Sequence, residues 1–352
     1  MARQWRVAVI GTGTVGEWHV KTVQKVPGCQ LVAMCDLDPA KLQRVLEKNK
    51  LSIPVYTDTA ELFAKEQIDV VHVCTPSGEH LEPAIFAMKN GKSVIVEKPM
   101  EISTDRIDQM NEAATKYGVK LAGIFQNRWN EANKAIRDAV QQGRFGRISW
   151  AGSFTPWYRT DKYYEEGGWR GTWKIDGGGA VMNQGVHQVD LMQWIVGPVK
   201  SVSAYFGSRI HGKIEVEDTL TCALLYENGA FGSFVSTTAM FPGGSTRLEV
   251  GGEFGTAISE SGLRKFKFKD ARPEDEALLD KLDPSRSKST GGGANPMDVV
   301  LDMHGQNMAS IYGAWAEGQE AETCGTEARK AVAIIQAMYE SARKNGMSVE
   351  VK

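Results

Sequence analysis

No apolar run in the chain approaches the ~20 residues that a membrane-spanning helix needs, and none is expected to cross a bilayer. Charge of one sign is also missing. With 41 Lys and Arg against 43 Asp and Glu, the formal net charge is -2, which removes the electrostatic case for nucleic acid or an anionic membrane as partner. Cysteine is scarce. Cys29, Cys35, Cys74, Cys222 and Cys324 are odd in number, scattered and without CxxC spacing, so neither a disulfide framework nor a thiolate zinc site is expected. Cys35 and Cys74 lie inside apolar strand patterns and read as small buried hydrophobes. Met1-Ala2-Arg3-Gln4-Trp5 runs straight into the first strand without a leader pattern, so the expected compartment is the cytoplasm. There is no internal repeat.

What is present is an ordinary globular composition over 352 residues, longer than a single core usually supports, so two domains are expected. Near the start, Arg6-Val7-Ala8-Val9-Ile10 runs into Gly11-Thr12-Gly13-Thr14-Val15-Gly16. This reads as a strand, a glycine turn and a helix. The first N–H groups of such a helix have no internal partner and its dipole favours negative charge, so a pyrophosphate can settle there. Gly11 allows the tight turn, Gly13 lets backbone approach phosphate, and Gly16 lets helix and strand pack closely. The next apolar run, Gln30 to Cys35, ends in Asp36, roughly 20 residues past the last glycine, where a carboxylate would take both ribose hydroxyls of NAD. Asp36 and Asp38 together would repel a 2′-phosphate, which favours NAD over NADP.

Alternation continues to about Gln126. Helices are expected over Pro39 to Lys48, Thr59 to Lys65, Glu79 to Asn90 and Ser103 to Tyr117. Strands are expected at Val55-Tyr56, Asp69 to Cys74, Ser93 to Val96 and Lys120 to Phe125. Apolar strands alternating with helices imply a parallel sheet covered on both faces. Ligands gather at the carboxyl ends of such strands, where Thr75-Pro76-Ser77 and Glu97-Lys98-Pro99 fall. Beyond, a helix from Glu131 to Gln142 and a strand from Arg147 to Phe154 lead into an aromatic, glycine-rich stretch, Trp157 to Gly179, read as a loop lining a site. Ala180 to Val196 is expected as a helix, followed by strands at hairpin spacing between Val199 and Lys269, with Glu227-Asn228-Gly229 a hairpin turn. Asp270 to Pro296, with Gly291-Gly292-Gly293, reads as a solvated excursion. Helices over His304 to Gly318 and Glu327 to Lys344 close the chain. The expected fold is α/β: a parallel-sheet domain over 1–125 and an α+β domain with a large, mostly antiparallel sheet over 126–352.

Two residues carry the expected chemistry. An ammonium at Lys98, on a strand tip, can hold a substrate oxygen as hydride leaves the adjoining carbon; alone, such a lysine is usually a solvated charge. His187 follows Gly177-Gly178-Gly179 and is a natural proton acceptor near neutral pH; alone, it would read as a satisfied, partly buried histidine. Asn183, His187 and Asp190 share one helical face. A metal reading of His187 and Asp190 lacks further ligands at useful spacing, and no metal is expected.

The glycine turn, Thr75-Pro76-Ser77 with His80, Gly91-Lys92 leading to Glu97-Lys98-Pro99, Trp169-Arg170, and Gly177 through Asn183-Gln184 to His187 and Asp190 occur in this order. Together they resemble the glucose–fructose oxidoreductase / inositol dehydrogenase / MocA family across essentially the whole chain. The resemblance implies a Rossmann domain followed by an open-faced sheet domain, with NAD bound and a ring hydroxyl or carbonyl of a sugar, sugar nucleotide or inositol as the reacting group. It implies Lys98 and His187 as the proton-handling pair, Pro99 in a cis bond, and Trp169-Arg170 reaching toward cofactor. Gly11 to Gly16, Asp36, Thr75, Pro76, Ser77, His80, Glu97, Lys98 and Gln126 are the expected remaining cofactor positions. Trp157, Tyr158, Arg128, Asn183 and Asp190 are expected to orient substrate. Asn183 departs from the family's commoner aspartate; with Gln184 and Gln126-Asn127-Arg128 it is similar to the branch that oxidises nucleotide-linked amino-sugar uronates at the 3-position. By the same analogy the oligomer is a dimer or tetramer. Two other readings stay open at this point: a glycoside hydrolase using transient ring oxidation with retained NAD, and a non-catalytic NAD-binding module.

Overall fold

The computed structural model describes residues 4–166, 168–283, 285 and 296–352. They form two compact units, Met1–Gln126 with Ala294–Arg329, and Asn127–Gly293 with Lys330–Lys352. The first break falls after Gln126. The return of 294–329 to the first unit differs from the expected continuous second domain.

The first unit is wound as strand and helix in alternation. In order it comprises β1 (Trp5–Ile10), α1 (Thr14–Val23), β2 (Cys29–Cys35), α2 (Pro39–Asn49), β3 (Val55–Tyr56), α3 (Thr59–Lys65), β4 (Val70–Val73), α4 (Leu81–Lys89), β5 (Ser93–Val96), α5 (Thr104–Tyr117) and β6 (Leu121–Gly123). The strands are parallel and lie in the order β3-β2-β1-β4-β5-β6, the doubly wound arrangement whose ligand crevice opens at the carboxyl ends beside β1 and β4. Val7, Val9, Val70 and Ile95 are completely buried, as strands covered on both faces must be. Helix starts are capped from the sequence: Asp38, Asp58 and Ser103 each accept a first-turn N–H at α2, α3 and α5.

The second unit begins with α6 (Glu131–Gln141), β7 (Ile148–Pro156) and the short α7 (Asp161–Glu165). A π-helical segment, Ala180–Gly185, then feeds α8 (Val186–Val196). Strands β8 (Val199–Gly207), β9 (Thr219–Tyr226), β10 (Phe231–Thr237), β11 (Arg247–Gly252), β12 (Gly255–Glu260) and β13 (Leu263–Phe268) follow. They make an eight-stranded sheet in the order β13-β12-β11-β7-β10-β9-β8-β14, where β14 is Val349–Glu350. Among the described residues only the β10–β7 pairing of this sheet is parallel. Period-two burial is plain in β9, where Leu220, Cys222, Leu224 and Tyr226 turn inward. Part of the opposite face is uncovered: Tyr205 and Phe231 are 62% and 67% exposed.

Two further expectations change. Residues 270–296 are not simply a solvated excursion, because α9 (Pro273–Leu282) forms there and buries Leu279, while Asp275 pairs with Arg144 at 2.7 Å; the Gly291-Gly292-Gly293 run lies outside the described residues. The penultimate helix, α10 (Pro296–Ala316), starts earlier than expected and packs Tyr312 and Trp315 on Trp5 of the first unit. The last, α11 (Gly325–Arg343), matches expectation closely.

Candidate active site

At the glycine turn each glycine meets a different demand. Gly11 has φ +87°, and a Cβ there would lie 2.6 Å from the Cys74 carbonyl carbon; at Gly16 it would lie 1.9 Å from the Gly11 carbonyl oxygen. Nothing lies within 4 Å of a Cβ built on Gly13. Gly13 is the N-cap of α1 and supplies no side-chain bond, so the front of α1 presents N–H groups and open space to an anion. Thr12, Thr14 and Val15 complete the turn. Beside it, Asp36 Oδ2 accepts the Thr12 N–H at 2.6 Å and the Thr12 hydroxyl at 3.0 Å, while Oδ1 accepts the Asp38 N–H at 3.0 Å. A carboxylate oriented in this way keeps lone pairs for ribose hydroxyls. Arg44 of α2 donates to the Thr12 carbonyl at 3.3 Å. Its place, two turns into the helix after Asp36, is a signal that the sequence reading passed over.

Next to this turn are the ends of β4 and β5. Thr75 and Pro76 are half-buried and Ser77 is buried. Within Val94–Met100 only Lys98 is not buried, and the Lys98–Pro99 peptide is cis. Two residues expected at the cofactor are turned inward instead. His80 is 1% exposed, with Nδ1 3.0 Å from the Pro99 carbonyl and Nε2 2.9 Å from the Thr75 carbonyl; it ties the two loops together. The Glu97 carboxylate accepts the Lys98 backbone N–H at 2.9 Å and contacts His19 Nε2 at 2.7 Å. Both residues are occupied in holding Lys98 and its loop. Gln126, 7% exposed, keeps its amide oxygen without a hydrogen-bond partner among the described residues. A buried acceptor left unmet is costly unless a ligand supplies the donor.

In the second unit, the π-helix and α8 repeat the pattern seen around Lys98. From Ala180 to Asp190 only Asn183 and His187 are not buried. They are one turn apart and so share a face. Asn183 Nδ2 donates to Asp176 Oδ1 at 2.8 Å, and Asp176 Oδ2 accepts the Gly171 N–H at 2.9 Å, which fixes the amide's orientation. The glycines before the π-helix serve close packing: a Cβ on Gly178 would lie 2.0 Å from the Tyr339 hydroxyl, and one on Gly179 1.7 Å from the Glu217 carbonyl oxygen.

Arg128 and Asp190, expected to orient substrate, are each 1% exposed and bond to each other, with Nε 2.8 Å from Oδ2. Their charges neutralise one another in the interior, so they fasten the segment before α6 to α8. The aromatic stretch includes α7, which sequence reading placed in a loop, yet it does gather polar groups. Trp157 and Tyr158 are half-buried. The Arg159 guanidinium lies 5.0 Å from the Trp157 ring and 5.3 Å from that of Tyr163; the Arg170 guanidinium lies 4.6 Å from Tyr163 and 5.1 Å from Trp169. Each bonds a backbone carbonyl, Tyr158 and Glu166 respectively, and neither has a carboxylate partner among the described residues. The Tyr163 hydroxyl accepts from Gln184 at 3.0 Å, which links this pair to the π-helix that carries Asn183. Arg159 was not singled out from sequence, and Tyr163 only as one of the aromatics of the stretch read as lining a site.

The turn, the open Gly13 and the held Asp36 suit a dinucleotide: diphosphate at the front of α1 and ribose at Asp36. Among the described residues no group of three or more His, Cys, Asp or Glu side chains is placed to hold a metal ion, and no helix is long and apolar enough to cross a membrane. Comparison with known proteins agrees with this arrangement. Residues 5–125 match the oxidoreductase family with the NAD-binding Rossmann fold, and residues 133–258 match the GFO/IDH/MocA C-terminal domain. The crystal structure of the WlbA dehydrogenase from Bordetella pertussis, in complex with NADH and UDP-GlcNAcA, is 30% identical, with a TM-score of 0.90 over 99% of this chain and 98% of that one. The WlbA enzyme from Chromobacterium violaceum, with the same ligands, is 31% identical, with a TM-score of 0.84 over 99% and 96%. Myo-inositol 2-dehydrogenase of Thermotoga maritima is 27% identical over 73% of this chain and 75% of its own length.

Proposed function

The chain belongs to the GFO/IDH/MocA family of NAD-binding oxidoreductases acting on CH–OH groups, and we propose that it oxidises the 3-hydroxyl of a nucleotide-linked amino-sugar uronate. The observation that carries this reading is the likeness, over nearly the whole chain, to dehydrogenases solved with NADH and UDP-GlcNAcA. NAD, when bound, supplies the hydride acceptor. His187 takes the hydroxyl proton as the carbon–hydrogen bond breaks, and Lys98 donates to the same oxygen as it becomes a carbonyl. Both are the half-buried residues of otherwise buried segments, and this selective exposure supports their assignment. Arg159 and Arg170, without carboxylate partners among the described residues and braced on aromatic faces, suit a substrate that brings its own anionic groups. Asn183, fixed by Asp176, offers an oriented amide to sugar hydroxyls.

The exposed Tyr205 and Phe231 on the sheet support assembly into a homodimer or homotetramer, and five cysteines without a disulfide support a cytoplasmic setting. The test is NADH formation followed by absorbance, with UDP-GlcNAcA, free glucuronate and myo-inositol as alternative substrates. UDP-GlcNAcA is expected to react with the highest kcat/KM. In the same assay His187→Ala and Lys98→Met should each lower kcat by ~10²–10⁴-fold. Turnover near wild type in either variant removes that residue from the proton-handling role.

A further inference from the structure

Behind Lys98, within the first unit, lies a line of buried polar groups that hydride transfer does not itself require. The Tyr312 hydroxyl of α10 is 2.7 Å from His72 Nε2 on β4; His72 Nδ1 is 2.9 Å from His19 Nδ1 on α1; and His19 Nε2 is 2.7 Å from Glu97 Oε1. His304 Nε2 stands 3.5 Å from the same carboxylate oxygen. The other oxygen, Oε2, accepts the Lys98 N–H. His19 and His72 are completely buried, and Glu97 and Tyr312 are nearly so.

With both imidazoles neutral, only one arrangement of protons satisfies every link. Burial pushes Glu97 toward its neutral form, but bonds from His19 and His304 outweigh this and hold it well below 4.5. Burial keeps His19 and His72 below 6.5, on the neutral side. An ionised carboxylate can only accept, so His19 must carry its proton on Nε2. Its Nδ1 is then an acceptor, and the facing Nδ1 of His72 must be the donor. That leaves His72 Nε2 to accept from Tyr312. The chain runs one way, from phenol to carboxylate.

We propose that the Glu97 carboxylate sets the direction of this chain and that His19, acting through Glu97, is a positioning residue for the Lys98 peptide. His19 sits on α1, whose front presents the N–H groups suited to a diphosphate, so the chain registers the cofactor helix against the residue that handles the substrate oxygen. The role assigned to Lys98 comes from the dehydrogenase reading above; the proton arrangement does not depend on it.

Two-bond ¹⁵N–¹H correlation on the NAD-loaded full chain tests the arrangement. His19 should appear as the Nε2–H tautomer and His72 as the Nδ1–H tautomer; the opposite tautomer at either, or a doubly protonated His19, overturns the proposal. In Glu97→Gln an amide that keeps the bond to the Lys98 N–H turns its NH₂ toward His19, so both tautomers should swap; a folded variant with unchanged tautomers overturns the proposal. Should that variant not fold, Tyr312→Phe serves, because it removes the terminal donor and should leave both wild-type tautomers in place; a swap there overturns the proposal. For the positioning role, His19→Leu should lower kcat by about 10- to 100-fold, while His19→Gln, whose amide N–H can replace the bond to Glu97, should recover most of that loss. Equal losses in the two variants overturn positioning. Wild-type protein that forms no NADH with any sugar would sink the dehydrogenase reading, and the spectra would still decide the chain.

Discussion

Glu217, buried beneath the glycines that precede the π-helix, offers a stability prediction of definite sign. Its carboxylate accepts the Gly179 and Val181 N–H groups, each at 3.0 Å, and the Tyr339 hydroxyl at 2.9 Å. Those bonds favour the anion, yet burial outweighs them and raises the carboxyl from an ordinary 4.5 to about 7. At about 1.4 kcal/mol per pH unit this favours the protonated native protein by about 3 kcal/mol. Between these two values the native state holds a proton that the unfolded chain has released, so the free energy of unfolding falls as pH rises. The contribution is fully present below pH 4.5 and lost above about 7. Urea denaturation of wild type and Glu217→Gln from pH 4.5 to 8 isolates it, because the other titrating groups cancel in the difference. The stability advantage of wild type over the variant should shrink by about 3 kcal/mol across that range. Two parallel curves would refute the balance struck here between burial and hydrogen bonding.

Three further perturbations follow from the site. Gly13→Val adds its side chain to open space at an extended backbone position, so the melting temperature without cofactor should hold while the NAD dissociation constant rises at least about tenfold; fluorescence titration reads this, and unchanged affinity would place the diphosphate elsewhere. Asp36→Ser removes the carboxylate that shares Thr12 with Arg44 and should raise the ratio of NADP to NAD use at least about tenfold, measured as kcat/KM; an unchanged ratio would count against Asp36 as the ribose acceptor. Asp190→Ala leaves a buried guanidinium without this carboxylate and should cost about 3–5 kcal/mol in chemical denaturation. A loss under 1 kcal/mol would return Arg128 and Asp190 to consideration as substrate groups.

What could be read in the sequence was whatever has a short period or a backbone signature. Strand alternation, the glycine turn and Asp36 follow from local rules, so the six-stranded sheet and the turn from β1 into α1 were legible. The inward turn of His80 and Glu97 was not, because their partners, the Pro99 carbonyl and the His19 ring, come from other elements. Arg128 and Asp190 looked like site residues for the same reason: each reads as a charge near a candidate site until the fold brings it within hydrogen-bond distance of the other. The Arg159 and Arg170 pair around Tyr163 depends on how α7 folds, and α7 sits in a stretch so broken by glycine that it carries no helical period. The return of α10 to the first unit rests on Tyr312 and Trp315 meeting Trp5 some 300 positions earlier, which no local pattern announces.

The central claim is that a hydride passes directly from a sugar carbon to the nicotinamide while the protein's own groups handle the proton. Incubating the enzyme and NAD with UDP-GlcNAcA carrying deuterium at C3, then weighing the reduced cofactor, tests it most directly. NADH one mass unit heavier, with the label at C4 of the nicotinamide, is the expected product; reduced cofactor without deuterium, or none formed, would contradict direct transfer.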